Sequence, residues 1–308
     1  MSNVCTNLKY SPPSSTELVV FPLLYILLCL FICGGNILTI VAVWKNPVLR
    51  TTPNMFVVSL AVADLMIGGL MIPMQICRYI PSMLEIYETS KFFCVIRFVI
   101  FTTSAVSSVL SITAIAFDRA LYIAYPFRYQ TLSNARLVIT VGWLLSITLG
   151  MTHFYYNNWD ICKFCQAAAF LTEFQVYLQH VLFLICFILT SMCYGCILKI
   201  ARKQQNKIFQ IQLPDSKTKT ENDLKLVKLF LLVFEIFACC WLPMIIVMTI
   251  EQLTHSVPGI ALYITTPLCF LNSGMNFIIY AIKNTDFRQT FYKILGFQKY
   301  SRTTISPQ

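Results

Sequence analysis

Residues 98–129 read FVIFTTSAVSSVLSITAIAFDRALYIAYPFRY, an apolar run that ends in an aspartate and an arginine side by side. Ionised groups are expensive beside a long apolar segment. The pair is therefore either a chance charge at a membrane surface or a working part. The surroundings favour a membrane: the chain has 308 residues, 57% of them hydrophobic and only 12% charged, with a mean hydropathy of +0.69. A soluble domain of this size does not expose so little polar surface.

Stretches long enough to cross a bilayer, roughly 20 apolar residues, recur at 19–44, 54–79, 92–123, 136–156, 173–201, 224–250 and 259–282. This predicts an all-α membrane protein, a seven-transmembrane helix bundle. It is organised as an outer N-terminus (1–18), the bundle (19–282), an amphipathic helix (283–297) and an inner tail (298–308). The first stretch has neither a basic segment before it nor a small-residue cleavage site after it, so it reads as a retained helix. Of 23 Lys and Arg, 18 fall in segments following the odd-numbered spans, which places the N-terminus outside and the C-terminus inside. The net charge of +10 is thus a topology signal, and no nucleic-acid partner is expected.

The polar connector 203–223 contains Pro214, Asp215 and Ser216, which are expected to break a helix continuing from span five. After span seven, Phe287, Phe291, Ile294 and Leu295 share one face of NTDFRQTFYKILGF, the pattern of an interfacial helix against membrane lipids, with Asn284 or Thr285 as its cap. Of 13 cysteines, Cys5, Cys77, Cys94, Cys162 and Cys165 lie at or near the oxidising face. Cys162 and Cys165 have no second ligand pair, so zinc is not expected.

Within the spans, Asn36, Asp64, Ser107, Ser108, Trp143, Asn272, Ser273 and Asn276 are the polar groups that need an explanation. A carboxylate with hydroxyl and amide oxygens from different helices suits a small hard cation. The same set also suits an interhelical hydrogen-bond network without an ion.

Taken in order, GN at Asn36, LAVAD at Asp64, Cys94, DR at 118–119, Trp143, Tyr194, CWLP at 240–243 after Phe237, NFIIY at 276–280 and DFR in the last helix resemble the rhodopsin-like (class A) G-protein-coupled receptors. The likeness runs from about residue 30 to 297. It implies a multi-pass plasma-membrane receptor, not an enzyme, with a heterotrimeric G protein and arrestin as partners. It also implies that Arg119 is held by Asp118 and by Asp223 at the foot of span six until that span swings outward. A charge-assisted bond of this kind contributes about 1–3 kcal/mol.

The resemblance further makes Trp241 a toggle over Phe237, Pro243 a hinge, Tyr194 and Tyr280 the pair that stabilises the open form, and Asn276 part of the switch. Asp64, Ser108, Asn272 and Ser273 become a site for a sodium ion, with no other cofactor. Cys94 is expected to bond Cys165 or Cys162. Three positions depart from the family: Ala120 replaces the tyrosine after the arginine, Phe277 the proline after Asn276, and Cys186 the proline of span five. Glu235 in span six is unusual and is expected to turn toward span seven or water.

Resemblances also bear on the ligand. Phe270 stands where opsins carry the retinal lysine, and Phe101 where aminergic receptors carry their aspartate. FVVSLAVAD, YNNW and IYAIKNTDFRQTFYKIL resemble adenosine receptors, yet Met248 and Phe270 replace the asparagine and histidine of that subgroup. CVIR with the Ser/Ala-rich stretch after it resembles receptors for oleoylethanolamide-type lipids. The expected lining is Gln75, Phe101, Thr102, Ala105, Trp241, Met244, Ile245, Met248, Tyr263, Thr266 and Phe270, with Arg97 either a rim cation or a snorkelling one. Such a set fits an uncharged, lipid-like or acidic small molecule and not a simple amine. A receptor that signals without ligand is the alternative. A channel, transporter or membrane enzyme lacks support, since neither repeats nor clustered catalytic residues are present.

Overall fold

The computed structural model describes residues 14–125, 129, 134–159, 165, 170–211, 214–254 and 259–297, with backbone alone for 201–226, 259–260 and 263. Its helices are α1 (Glu17–Lys45), α2 (Thr52–Met66), α3 (Ile72–Ile76), α4 (Pro81–Thr89), α5 (Lys91–Ala124), α6 (Ala135–Met151), α7 (Glu173–Ile211), α8 (Pro214–Thr254), α9 (Gly259–Lys283) and α10 (Thr285–Ile294). A π turn over Ile67–Met71 joins α2 to α3. Among the described residues, six helical segments are long and apolar enough to cross a membrane. With 25 residues, α9 spans about 37 Å at 1.5 Å per residue and carries one charge, Lys283 at its end.

The helices close into a ring. Contacts run α1 to α2, α2 to α5, α5 to α7, α7 to α8, α8 to α9 and α9 back to α1, with α6 against α5 and α2. The distribution of polarity is that of a protein dissolved in hydrocarbon: Leu30 and Met192 are 66% and 60% exposed, while Asp64 and Asn36 are 0% and 1% exposed. Water would penalise this outer surface heavily, and lipid does not.

Local chemistry sets the helix ends. Ser90 accepts from Phe93 N at the start of α5, Asn134 from Leu137 N at the start of α6, and Asn284 from Asp286 N and Phe287 N at the start of α10, each satisfying otherwise orphaned amides. Gly296, at φ 76°, ends α10. Its N–H reaches Lys293 O, and Phe297 N reaches Tyr292 O, the paired bonds of a left-handed helix stop.

Three features differ from the sequence reading. Pro214 starts α8 instead of lying in a loop, because proline at the first helical position loses no hydrogen bond. A short helix, α4, fills the connection before α5. Of the two expectations for Glu235, α9 or water, the first is not met, and the residue is exposed on the outer face of α8. The inward positions of its turn are taken by Val233, Phe234 and Phe237, so helical period directs residue 235 outward. A charge facing hydrocarbon there would cost up to about 3 kcal/mol, the value for a helix centre.

Small residues let α1 and α9 close the ring. A Cβ on Gly35 would overlap the Phe277 ring, and one on Gly274 would overlap Phe31. The two rings themselves meet edge-on at 5.1 Å. Phe277 is thus accommodated by Gly35 across the seam. Gly35→Ala forces that ring to shift, at about 1–3 kcal/mol, and should lower the melting temperature of the detergent-solubilised protein. Gly34→Ala, which meets nothing within 4 Å, should not.

Candidate functional site

At the C-terminal end of α5, Arg119 donates to Asp118 Oδ2 from Nη2 at 2.6 Å and from Nε at 3.1 Å. Tyr129 donates to the other carboxylate oxygen at 2.7 Å, and the guanidinium lies 5.1 Å from the centre of the Tyr122 ring. Asp118 and Arg119 are 3% and 7% exposed. A buried pair is tolerable only when its remaining bonding capacity is met, and Tyr129 supplies part of that. Both tyrosines sit in the run around Asp118 and Arg119, but only folding shows that Tyr122 and Tyr129 meet edge-on at 5.2 Å around the pair. Asp223 lies on α8, with its side chain outside the described residues.

Deeper in the bundle, Tyr194 packs on Phe234, and Tyr280 stacks on Phe287 of α10. Both hydroxyls are buried and have no hydrogen-bond partner among the described residues. An unmet buried hydroxyl costs about 1–3 kcal/mol, so this region favours any rearrangement or water that satisfies the pair.

Asp64 is wholly buried. Asn276 donates to its Oδ2 at 2.8 Å, Ser273 stands beside it, and Oδ1 has no partner. Asn36 donates to the carbonyls of Ile32 and Ser273, both at 2.9 Å, tying α1 to α9. Ser108 and Asn272 are buried on the facing helices, and no hydrogen bond joins either to Asp64. Trp143 Nε1 donates to Ser59 Oγ at 3.1 Å, and Ser59 shares a second bond with Ser111. This links α6, α2 and α5.

Higher still, Trp241 contacts Phe237, Phe183 and Phe101 with centroids 5.8, 5.2 and 5.8 Å away. Its Nε1 is buried without a partner. Ala105 and Phe270 are buried, the latter beside Tyr25 at 6.1 Å. Met244, Ile245 and Thr266 are half-buried, and Met244 accepts a long bond from Thr265. Met248 packs against the cluster of Cys94, Phe98, Cys165 and Phe170, in which Phe98 and Phe170 stack at 4.9 Å. Gln75 accepts from Tyr87 at 3.0 Å. The side chain of Tyr263 lies outside the described residues.

Cys94 is bonded to Cys165, with Cα atoms 5.4 Å apart, which decides between the two outer cysteines. Arg97 is neither a rim cation nor a snorkelling one. It is 5% exposed, donates to Cys165 O at 2.7 Å and lies 4.3 Å from the centre of the Tyr87 ring. The disulfide brings a carbonyl within its reach, and burial under the connection follows. Nearby in α4, burial pushes the Glu88 carboxyl above the usual range, opposed by Arg78 at 3.8 Å.

A buried polar chain has no counterpart in the sequence reading. Thr172 donates from N and from Oγ1 to Gln175 Oε1 at 3.2 and 3.1 Å, which fixes the amide so that Nε2 donates to His153 Nδ1 at 2.9 Å. His153 Nδ1 must then be the acceptor, so the neutral ring carries its proton on Nε2 and donates to Thr102 Oγ1 at 2.8 Å. Gln179 donates to the same hydroxyl oxygen at 2.9 Å. The helices supplying these groups, α5 and α7, with the turn after α6, are separated in sequence by as many as 77 residues. Only their packing reveals the chain.

The geometry agrees with the comparisons. The model of the 7 transmembrane receptor (rhodopsin family) matches residues 35–280. The chain belongs to that family. Similar receptors include adenosine receptor A2b of Gallus gallus, 31% identical over 92% of this chain and 90% of the relative, and adenosine receptor A3 of Ovis aries, 32% identical over 85% and 84%. A QRFP-like peptide receptor of Branchiostoma floridae is 28% identical over 93% and 79%. The protein is accordingly a G-protein-coupled receptor of the plasma membrane, multi-pass and not an enzyme.

Removing one member of the polar chain leaves its neighbour unsatisfied. Gln175→Leu should destabilise the receptor by about 1–3 kcal/mol, read as melting temperature. In the double variant His153→Phe/Gln175→Leu the loss should be less than the sum of the single losses.

Proposed function

We propose that this receptor binds an uncharged or lipid-like small molecule from the outer side, in the half of the bundle above Trp241. Binding there activates a heterotrimeric G protein through outward movement of the α8 foot. The observation that carries the ligand reading is Phe101 packed on Trp241, in a surround of Ala105, Met244, Ile245 and Met248. No described acid lies among these positions, and the nearby polar side chains Thr102, His153, Gln175 and Gln179 are bonded to one another. An ammonium brought there would lose its hydration without gaining a carboxylate. Glu173 is exposed and Glu251 half-buried, each toward the end of its helix.

Two of the similar receptors bear adenosine in their names. Met248 and Phe270 are both held in apolar clusters and supply neither an amide nor an imidazole for a purine, so adenosine is the comparison arm and not the expected ligand. In this reading Arg97 orders the outer connection instead of meeting the ligand. Arg119 rests on Asp118, Asp223 is the proposed second partner, and release toward Tyr194 and Tyr280 gives their unmet hydroxyls partners. Arrestin engagement follows from the same opening, and α10 lies against the membrane lipids.

The deciding experiment is a signalling assay of the full-length receptor against all four G-protein families. Lipid amides and fatty acids, biogenic amines and adenosine are applied in turn. Activation by a lipid, abolished by Phe101→Asp, is the expected result. Amines should lack a contribution of about 2–5 kcal/mol from a counter-ion, roughly 30- to 4000-fold in affinity. A micromolar amine agonist that survives Glu173→Gln and Glu251→Gln would sink the reading.

The unpartnered Oδ1 of Asp64 suits a sodium ion, with Ser108, Asn272 and Ser273 as further oxygen donors and the ion favouring the closed form. Sodium chloride, compared with choline chloride, should then raise the melting temperature of the wild type but not of Asp64→Asn. At ten times the dissociation constant the stabilisation is about 1.4 kcal/mol. Equal responses in both would leave the cluster a hydrogen-bond network only.

A further inference from the structure

Arg97 is buried near the outer end of α5, and a guanidinium stays charged wherever it is placed. Its Nη2 is taken up by Cys165, donating to the carbonyl at 2.7 Å and lying 3.1 Å from Sγ. The rings of Tyr87 and Phe98 lie 4.3 and 5.2 Å from its central carbon. They offset part of the charge, but none of these groups is an anion. Nη1 has no hydrogen-bond partner among the described residues. The charged side chain that acts on Arg97 is Arg78, of its own sign. The carboxyl in this neighbourhood, Glu88, sits 3.8 Å from Arg78, and its burial favours the neutral form against the pull of that guanidinium. Glu88 Oε2 is unmet as well. The structure thus encloses a cation that no described carboxylate neutralises, with one of its donors unused.

We infer that a small inorganic anion, chloride from the outer medium, is held by Arg97 Nη1 and shared with Arg78 beside the Cys94–Cys165 disulfide. The reason is charge. A water molecule could accept from Nη1 but would leave the guanidinium uncompensated, and burying an unpaired charge is far more costly than burying an unmet neutral donor. An opposite charge counts for most where the dielectric is low. The donors present also select the kind of anion. A single free nitrogen and one neighbouring guanidinium suit a spherical, singly charged ion, whereas a sulfate would bring a second charge and several oxygens with nothing to meet them. Room for the ion comes from Arg78, whose side chain is long and 24% exposed, so it can swing aside and close on the ion from the outer edge. The site holds the outer connection to α5 and is separate from the ligand cavity above Trp241.

The test is the melting temperature of the full-length, detergent-solubilised receptor as chloride replaces gluconate at constant sodium and constant ionic strength. Holding sodium fixed removes any contribution from Asp64, and omitting ligand removes any from a ligand's carboxylate. Expected is a rise of about 2–5 °C at ten times the dissociation constant, with bromide replacing chloride. Arg97→Gln keeps a donor for the Cys165 carbonyl but no charge, and should lose the rise. Arg78→Gln, at a partly exposed position, should weaken the apparent chloride affinity about threefold or more. Lys91→Gln removes the same unit of charge from an exposed residue at the outer end of α5 and should keep the full response. Equal melting temperatures in chloride and gluconate for the wild type, or a rise that survives Arg97→Gln, overturns the inference. Where Arg97→Gln does not fold, Arg78→Gln decides, and an undiminished chloride affinity in that variant overturns it.

Discussion

A polar group inside this bundle has no lipid acceptor to turn to, so a buried hydroxyl, amide or carboxylate is met by a carbonyl of its own helix or by a group on another one, or it goes unmet. That constraint puts α5 at the centre of the bundle. One helix of 34 residues meets α2 through Ser104 and Ser111, α7 through Thr102 and Thr113, and the turn after α6 through Thr102 and His153. Its end holds Asp118 and Arg119. The apolar side chains pack around these ties, and in lipid they supply shape more than driving force.

The same constraint separates the rigid from the convertible parts. The Thr172–Gln175–His153–Thr102–Gln179 chain runs unbroken across three elements, and Arg97 ties the outer connection to the carbonyl of Cys165 through one nitrogen while its Nη1 is unmet among the described residues. These elements hold one arrangement. Asp64 Oδ1, Trp241 Nε1 and the hydroxyls of Tyr194 and Tyr280 are left unmet, and they lie along the line from the middle of the bundle to its inner end. Unsatisfied buried groups raise the energy of this arrangement relative to one that pairs them. A receptor needs two states of comparable free energy, and this is where the second state has something to gain.

Glu235 shows the rule from its outer side. Helical period places it among lipid-facing residues because the bundle already fills the inward positions of α8 with aromatic rings. A carboxyl there is destabilising for the isolated chain if it stays ionised.

The class of the fold and its long apolar runs follow from the sequence by itself. Hydrocarbon thickness sets the length of each apolar run, and only a satisfied backbone crosses it, so composition leads directly to a helical membrane bundle. Asp64 and Arg119 are legible as charged groups at places where a lipid-soluble helix would not otherwise carry them, whereas Trp241 and Tyr280 are legible only through the resemblance of the motifs that hold them. Sequence could not choose between Cys162 and Cys165, bury Arg97 beneath Cys165, turn Glu235 outward or join His153 to Gln175. Each of these depends on which faces of two distant helices meet. A helix's own periodicity defines its faces but not their neighbours, and the neighbours are decided only when the ring closes through contacts as particular as Phe277 over Gly35.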